Sequence, residues 1–190
     1  MKVTLFDLET SNLSADFGIV LCAVVKQFTD PLDAEVTQSK PKVYRIDSKK
    51  GVKMSDDSHV VKAIIETLSD SDILIAHNGV KFDRPYLNTR ALKHNLAILN
   101  PNGKIIDPVK LARKHLRLTY NSLNQVASIL GTKQQKTLVD GQTWMKATLD
   151  RDKEAMDYIV EHCVADVLVL EETVARLRKF VGNITPWGSD

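Results

Sequence analysis

Short apolar runs separated by polar loops dominate the first quarter of the chain. Residues 3–8 form the first run, and the runs 18–28 and 42–47 follow it. Runs of this length with polar connections are typical of β-strands that pair with their sequence neighbours. The pattern therefore predicts three antiparallel strands in a meander.

From about Ser55 onward the apolar positions recur at helical rather than strand spacing. A helix is expected over the apolar positions 60–68, with Ser55 or Asp56 as its N-cap. Short apolar runs at 72–77 and 103–107 predict two further strands, each followed by a helix. The predicted later helices are 81–95, 108–116 with Pro108 in its first turn, 123–130 between Ser122 and Gly131, and roughly 151–181.

This order of elements predicts an α/β protein. Three meandering strands followed by βα units favour a mixed five-stranded sheet flanked by helices. The length of 190 residues and a hydrophobic content of 43% suit a single domain over residues 1–190, with a flexible end at 182–190.

Composition and charge bear on where the protein is expected to be located and on which partners it could bind. No apolar run is long enough for a membrane span, and the N-terminus lacks the pattern of a signal peptide. Cys22 and Cys163 lie in apolar surroundings and are expected to be reduced core residues, as in a cytoplasmic protein. A net charge of +2 neither requires nor excludes nucleic acid as a partner.

Two carboxylates follow the first strand closely, in the segment Asp7-Leu8-Glu9. Side chains two positions apart point to the same side of an extended strand, so these acids converge. They are either a solvated acidic pair or part of a metal site, because like charges this close repel unless a cation lies between them. Mg²⁺ prefers such oxygen ligands.

A second group of polar side chains follows the fourth predicted strand. His77, Asn78, Phe82 and Asp83 all fall in one strand-to-helix turn, at the end of the sheet where open α/β folds bind ligands. Taken singly, Asn78 suits a turn and Asp83 suits the first turn of a helix. Asp107 begins a later helix and is expected to cap it rather than to serve as a fifth ligand.

The last helix carries a third candidate pair. Asp166 lies among apolar positions, and His162 precedes it by four residues, so both side chains share one face of the helix. The two residues either form a local pair that stabilises the helix or contribute a metal ligand and a proton-transfer group.

Together these segments resemble the DEDD 3′–5′ exonucleases, with the ribonuclease H-like fold, and are closest to the DnaQ-like members found in bacteria and phages. The three motifs of that family correspond here to Asp7-Leu8-Glu9, Asn78-GVK-Phe82-Asp83 and His162-CVA-Asp166. They occur in the family's order, and the resemblance extends over about residues 3–180. His162 stands four residues before the aspartate, the position that tyrosine has in one branch of the family.

The resemblance implies hydrolysis of phosphodiester bonds at the 3′ end of single-stranded DNA or RNA with two divalent ions, Mg²⁺ or Mn²⁺. Asp7 would contact both ions. Glu9 and Asp166 would hold the ion that activates water, and Asp83 would position the second ion. His162 would accept the proton of the water, since an imidazole titrates near neutral pH.

Further residues are expected to contact the substrate. Leu8 would pack against the last base, and Thr10 would offer its backbone N–H to the sugar. His77 is expected to contact the substrate. Asn78 would either contact the terminal nucleotide or orient the second motif, and Phe82 either stacks on a base or anchors the core. Basic residues that either solvate helix surfaces or meet phosphates are Lys81, Arg84, Arg90, Lys110, Arg113, Lys114 and Arg117.

Two other functions are compatible with the same motifs. One is an endonuclease of the ribonuclease H or resolvase type, and the other is a non-catalytic module that binds nucleic acid or a polymerase. Asn78 and His162 favour the exonuclease over the endonuclease. The presence of all four acids favours an enzyme over a binding module, and a polymerase would then be a partner in trans.

Overall fold

The structure is a computed structural model that describes residues 1–29, 39–49, 51–133 and 139–180. The segment 182–190, expected to be flexible, lies outside the described residues. The strands are β1 (Lys2–Thr10), β2 (Val20–Thr29), β3 (Lys42–Arg45), β4 (Ile73–Ile75) and β5 (Ile105–Ile106). The longer helices are α1 (Ser58–Ser69), α2 (Asp83–Lys93), α3 (Pro108–His115), α4 (Leu123–Leu130), α5 (Gly141–Met145) and α6 (Lys153–Leu177).

The five strands form one mixed sheet in the order β3-β2-β1-β4-β5. β2 is antiparallel to β1 and β3, whereas β4 is parallel to β1 and to β5. The predicted α/β fold, an antiparallel meander followed by βα units, is confirmed. Because β1, β4 and β5 run in the same direction, their carboxyl ends meet at one edge of the sheet, which we call the carboxyl edge.

The helices cover both faces of the sheet. α1 packs with α2 and against β2 and β3, and α6 packs against β1 and β2 with α3, α4 and α5 around it. Phe6 and Leu8 of β1 are buried in the core. Asp7 is contacted instead by Cys163 of α6. The strand alternation therefore places Asp7 and Glu9 on the face under α6, together with the buried Val3 and Leu5, and places Phe6 and Leu8 on the opposite face.

Two predicted helices have the ends that their sequences indicate. Ser122 caps α4 with its side chain, and Gly131 ends it in the left-handed region at φ 66°. Glycine adopts this conformation without a steric penalty. Pro108 occupies the first turn of α3, behind Asp107, whose side chain caps the helix.

The start of α1 differs from the prediction. Its N-cap is Asp57 rather than Ser55 or Asp56, and the Asp57 side chain makes no capping hydrogen bond. The Asp57 carboxylate instead accepts two hydrogen bonds from the fully buried guanidinium of Arg90, at 2.6 and 2.9 Å. Arg90 is thereby removed from the set of basic residues that could meet phosphates.

Residues 141–150 contain helix where the apolar pattern predicts none. α5 continues into a π-helical turn at Lys146–Asp150. Asp140 caps α5 by accepting a hydrogen bond from the backbone N–H of Thr143 at 2.7 Å. Ala147 is the buried residue of the turn and Trp144 is partly buried against the core, so the segment lacks the longer apolar stripe that sequence patterns detect.

A buried ion pair connects α6 to the sheet on the same face as the acids of β1. Lys26 of β2 is paired in register with Leu5, two positions before Asp7. Its ammonium lies 2.6 Å from the carboxylate of Glu171 on α6, and both side chains are almost fully buried. The pair joins the C-terminal half of α6 to the centre of the sheet.

Among the described helices, none has both the length and the apolar character that crossing a membrane would require.

Candidate functional site

The acids of the first motif lie at the end of β1, facing α6. Both Asp7 and Glu9 are half-buried. The thiol of Cys163 on α6 lies 3.5 Å from the backbone oxygen of Asp7 and 3.6 Å from its Oδ2. This contact brings α6 directly against the first acid.

The third motif meets the first around one imidazole. Nε2 of His162 lies 3.5 Å from Oε1 of Glu9 and 3.7 Å from Oδ2 of Asp166. His162 and Asp166 are 7% and 3% exposed, so this contact lies in a largely water-excluded setting. Because Glu9 comes from β1, the arrangement is more than a local pair within α6.

The acid of the second motif lies beside Asp7. Asp83 is the first residue of α2 and is only 3% exposed. Burial raises the pKa of Asp83 well above its ordinary range, and the negative charge of Asp7 raises it further. Backbone N–H groups of Leu8 and of Asp83 itself partly offset this by stabilising the charged carboxylate. The strand-to-helix turn thus adds a third acid to the pair on β1.

The turn that carries Asp83 has an unusual backbone conformation at Asn78. Asn78 lies in the left-handed region at φ 65°, and its N–H donates to Oδ1 of Asp107 at 2.9 Å. The same oxygen accepts from the N–H of Val109 at 3.0 Å. The predicted capping role of Asp107 is confirmed, and the residue also ties the turn after β4 to the start of α3.

His77 connects this turn to the segment between α3 and α4. Its Nε2 lies 3.0 Å from the backbone oxygen of Asn121. His77 immediately follows the buried residues of β4, at the carboxyl edge. The acids of β1 and the second-motif turn therefore share one edge of the sheet with the segment that precedes α4.

Several residues expected to contact substrate have other contacts in the structure. The Leu8 side chain is 5% exposed and belongs to the core, because it alternates with Asp7 and Glu9 along β1. A role for Leu8 at the site is therefore limited to its backbone. Phe82 packs against the core, with its ring 5.5 Å from that of Tyr86, which favours the core-anchor interpretation. The Thr10 hydroxyl donates to the backbone oxygen of Asn12 at 3.0 Å, while the expected contact of the Thr10 backbone N–H with the sugar stays a prediction.

Sequence reasoning missed the place of Cys163 in this site. The residue is fully buried, as expected for a core cysteine, yet its thiol contacts Asp7. Its position between His162 and Asp166 along α6 was the available signal. Helical rotation turns Cys163 toward the sheet, and no periodic pattern shows which sheet residue it will meet.

The side chains at the carboxyl edge have the chemistry of ligands for a divalent cation. Within the part of the chain that the structure describes, two groups could hold an ion, and in each the ligand atoms lie within 4.8 Å of one another. The groups are Asp7, Glu9 and Cys163, and Glu9, His162 and Asp166. Carboxylate oxygens are the ligands that Mg²⁺ and Mn²⁺ prefer. A cation here would also offset the repulsion between Asp83 and Asp7.

The fold and the site together define an α/β protein with an RNase H-like nuclease fold, whose acids converge at the carboxyl edge of its mixed sheet. The chain belongs to the RNase H superfamily, since the family model of that superfamily matches residues 4–178.

Solved structures agree on the fold. The structure of the family B DNA polymerase from the hyperthermophilic archaeon Pyrobaculum calidifontis matches with a TM-score of 0.66 and 18% sequence identity. The match covers 92% of this chain and 24% of the polymerase, so the chain spans about a quarter of the protein it resembles. At this identity the likeness concerns the fold alone. No curated protein matches the sequence.

Proposed function

We propose that this protein is a metal-dependent 3′–5′ exonuclease that hydrolyses single-stranded DNA or RNA from the 3′ end. The observation that carries the proposal is the position of His162 between Glu9 and Asp166, with Asp83 beside Asp7. The family membership supports it, because RNase H-like nucleases use divalent metal ions. Single-stranded 3′ ends are the proposed partners, and a polymerase in trans is a further proposed partner.

The four acids would hold two divalent ions, Mg²⁺ or Mn²⁺. When bound, such ions supply a hydroxide at neutral pH and stabilise the charge that develops on the phosphate. Asp7, Glu9 and Asp166 would bind the ion beside His162. Asp83, whose raised pKa reflects burial beside Asp7, would help to bind the other ion and would then become charged.

His162 would act as the general base. Its Nε2 faces two acids at 3.5 and 3.7 Å, and these would stabilise the imidazolium formed when the ring accepts a proton. The same two acids orient the ring. This arrangement supports a proton-transfer role in addition to the structural contact between α6 and β1.

The turn after β4 would position the terminal nucleotide. The left-handed conformation of Asn78 and the tie from its N–H to Asp107 hold the backbone of this turn in one arrangement beside Asp83. We assign the contacts with the last nucleotide to Asn78, His77 and the backbone of Leu8 and Thr10.

Labelled single strands test the proposed reaction. DNA and RNA strands labelled at either end are incubated with the protein in Mg²⁺ or Mn²⁺. A ladder that shortens from the 3′ end, with early release of a 3′ label as a mononucleotide, is expected. Internal cuts would instead indicate an endonuclease, and no cleavage with either ion would contradict an enzymatic role.

Matched variants separate this activity from a contaminant. Asp7→Asn keeps the shape of the side chain and removes its charge, and it is expected to abolish cleavage. Asp70→Asn is the control, because Asp70 is exposed and pairs with Lys2 at the opposite end of β1. This variant should cleave like the wild type.

Binding of the ion is measured separately by thermal unfolding. Saturating Mn²⁺ should raise the melting temperature of the wild type and of Asp70→Asn by roughly 5–10 °C, the shift expected when the ion is present at about 100 times its dissociation constant. Asp7→Asn should lose most of this shift. An equal shift in Asp7→Asn and Asp70→Asn would mean that the ion does not bind at Asp7.

A further inference from the structure

Two aromatic side chains project into solvent from segments that border the carboxyl edge. Phe17 is 81% exposed and Tyr120 is 70% exposed. Large aromatic side chains normally contribute to folding by burial, so rings exposed to this extent contribute little to stability. Both rings belong to connections next to the candidate site.

Phe17 is presented by a well-anchored loop. Residues 11–19 follow the acids of β1 directly, and the N–H of Ser11 donates to the backbone oxygen of Ile19 at 3.0 Å to close the loop. The buried guanidinium of Arg90 on α2 donates to the backbone oxygen of Ala15 at 3.1 Å. The loop is thus fastened to the second-motif helix while the Phe17 ring stays in water.

The close approach of this loop to α2 requires a glycine. A Cβ atom at Gly18 would lie 2.2 Å from the hydroxyl oxygen of Tyr86 on α2. Gly18 therefore allows the backbone beside Phe17 to rest on the first half of the helix that begins with Asp83. This contact places the Phe17 loop against the first half of α2, which follows the second-motif turn.

Tyr120 lies in a segment that contacts the start of that turn. It directly precedes Asn121, whose backbone oxygen contacts Nε2 of His77 at 3.0 Å. His77 begins the turn, so the segment with Tyr120 passes next to its first residue. The segment with Tyr120 thus contacts the start of the turn, and the loop with Phe17 contacts the helix that follows it.

Exposed positive charge occupies the same region. Lys81 is exposed within the turn itself. Arg117 is exposed in the segment that leads to Tyr120. Positive charge near exposed aromatic rings is suited to a nucleic acid, because its phosphates are negative and its bases are aromatic. An apolar protein partner would instead favour a neutral patch.

We propose that Phe17 and Tyr120 are stacking platforms for unpaired nucleobases, with Lys81 on the phosphate backbone. The proposal rests on the proposed exonuclease function and deepens it, because it makes the protein selective for unpaired strands. Stacking needs a planar ring, so Leu13, which is 83% exposed in the same loop, is not part of the platform.

Binding without cleavage tests this platform. A fluorescein-labelled oligodeoxythymidine is titrated with protein in EDTA, and fluorescence anisotropy reports the affinity. Phe17→Ala and Tyr120→Ala should each weaken binding roughly tenfold, within the range for loss of one base–aromatic stack. Phe17→Trp and Tyr120→Phe keep a ring and should bind like the wild type.

Further controls distinguish stacking from general apolar contact. Phe17→Leu keeps apolar surface without a ring and should weaken binding as Phe17→Ala does. Leu92→Ala is the control for loss of apolar surface elsewhere. Leu92 is 65% exposed and lies near the C-terminal end of α2, away from the carboxyl edge, so this variant should not change the affinity. The fluorescence of 2-aminopurine in the strand should be quenched by the wild type and recover in Phe17→Ala. Binding of a blunt duplex should be the same for all these proteins.

The outcomes separate this proposal from the proposed function. Wild-type affinity in both alanine variants, or equal losses in Phe17→Leu and Phe17→Trp, would overturn the platform even if the wild type cleaves from the 3′ end. Ring-dependent binding without cleavage in Mg²⁺ or Mn²⁺ would support the platform and overturn the exonuclease. All the substituted side chains are exposed, so loss of folding does not confuse these results.

Discussion

Nε2 of His162 lies 3.5 Å from Oε1 of Glu9, which joins the third sequence motif to the first. The two residues are separated by most of the chain, and the contact forms because α6 packs across the end of β1. Oδ2 of Asp166 lies 3.7 Å from the same nitrogen.

Replacing the imidazole should remove catalysis without removing the metal site. His162→Gln keeps a polar side chain but cannot accept a proton near neutral pH, so kcat should fall by roughly 10²–10⁴. In the wild type the rate should rise with pH as the base loses its proton, and this rise should be absent in the variant. Steady-state cleavage across a pH series gives the measurement.

The control for this variant is ion binding. The stabilisation by Mn²⁺ should be retained in His162→Gln, because the four acids remain. His162→Tyr, which restores the residue type of the tyrosine branch at this position, should retain more activity than His162→Gln. A wild-type rate and pH profile in His162→Gln would contradict the assignment of the base.

Neutralising Asp83 should stabilise the protein when no ion is bound. Burial and the charge of Asp7 raise the pKa of Asp83, so the folded state holds its proton more tightly than the unfolded state does. Stability from such a group is fully present below the unfolded pKa and is lost as pH rises through the folded pKa. In EDTA, Asp83→Asn should therefore melt higher than the wild type at pH 7, and this difference should disappear at low pH.

The ion reverses this difference. A bound cation favours the charged form of Asp83, so Mn²⁺ should stabilise the wild type more than Asp83→Asn. Differential scanning calorimetry of both proteins with EDTA and with Mn²⁺ gives the four melting temperatures. A lower melting temperature for Asp83→Asn in EDTA would show that the charged carboxylate is favourable without an ion.

Breaking the buried pair between α6 and β2 should be costly. Lys26→Met leaves the Glu171 carboxylate buried without its cation, and it should lower the free energy of unfolding by about 3–5 kcal/mol. The double variant Lys26→Met/Glu171→Met replaces the pair with apolar groups of similar length and should recover most of that loss. Urea unfolding of the three proteins measures this, and additive losses would contradict a coupled pair.

The backbone conformation of Asn78 should separate its structural role from its proposed substrate contact. Asn78→Gly adopts φ 65° without strain, whereas Asn78→Ala pays roughly 1 kcal/mol for it. Both variants should lose activity because the side-chain amide is missing, but Asn78→Gly should unfold at a higher urea concentration than Asn78→Ala. Equal activity in Asn78→Gly and the wild type would assign the residue to the backbone alone.

Much of the fold was predictable because its signals are local. The meander strands, the βα order and the caps at Ser122 and Asp107 follow from apolar period and from side chains that bond to nearby backbone. The start of α1 was not predictable. Asp57 resembles an ordinary capping residue, and its true partner, Arg90, is distant in sequence.

The candidate site was also predictable only in part, namely where its features depend on local sequence. The spacing of Asp7 and Glu9 on a strand, and of His162 and Asp166 on a helix, already set which side chains share a face. Strand alternation also puts Leu8 on the face opposite Asp7 and Glu9, but its burial depended on how the helices packed on that face. The contact between Cys163 and Asp7 depended on the rotation of α6 against the sheet.

The sequence by itself determined the order of the elements, the faces shared by neighbouring motif residues and the types of ligand available for a cation. Those properties depend on backbone geometry within a few residues. The tertiary structure alone decided that His162 lies between Glu9 and Asp166, that burial beside Asp7 raises the pKa of Asp83, and that Arg90 is buried. Such contacts form between residues far apart in the chain, where packing of whole helices on the sheet sets every distance.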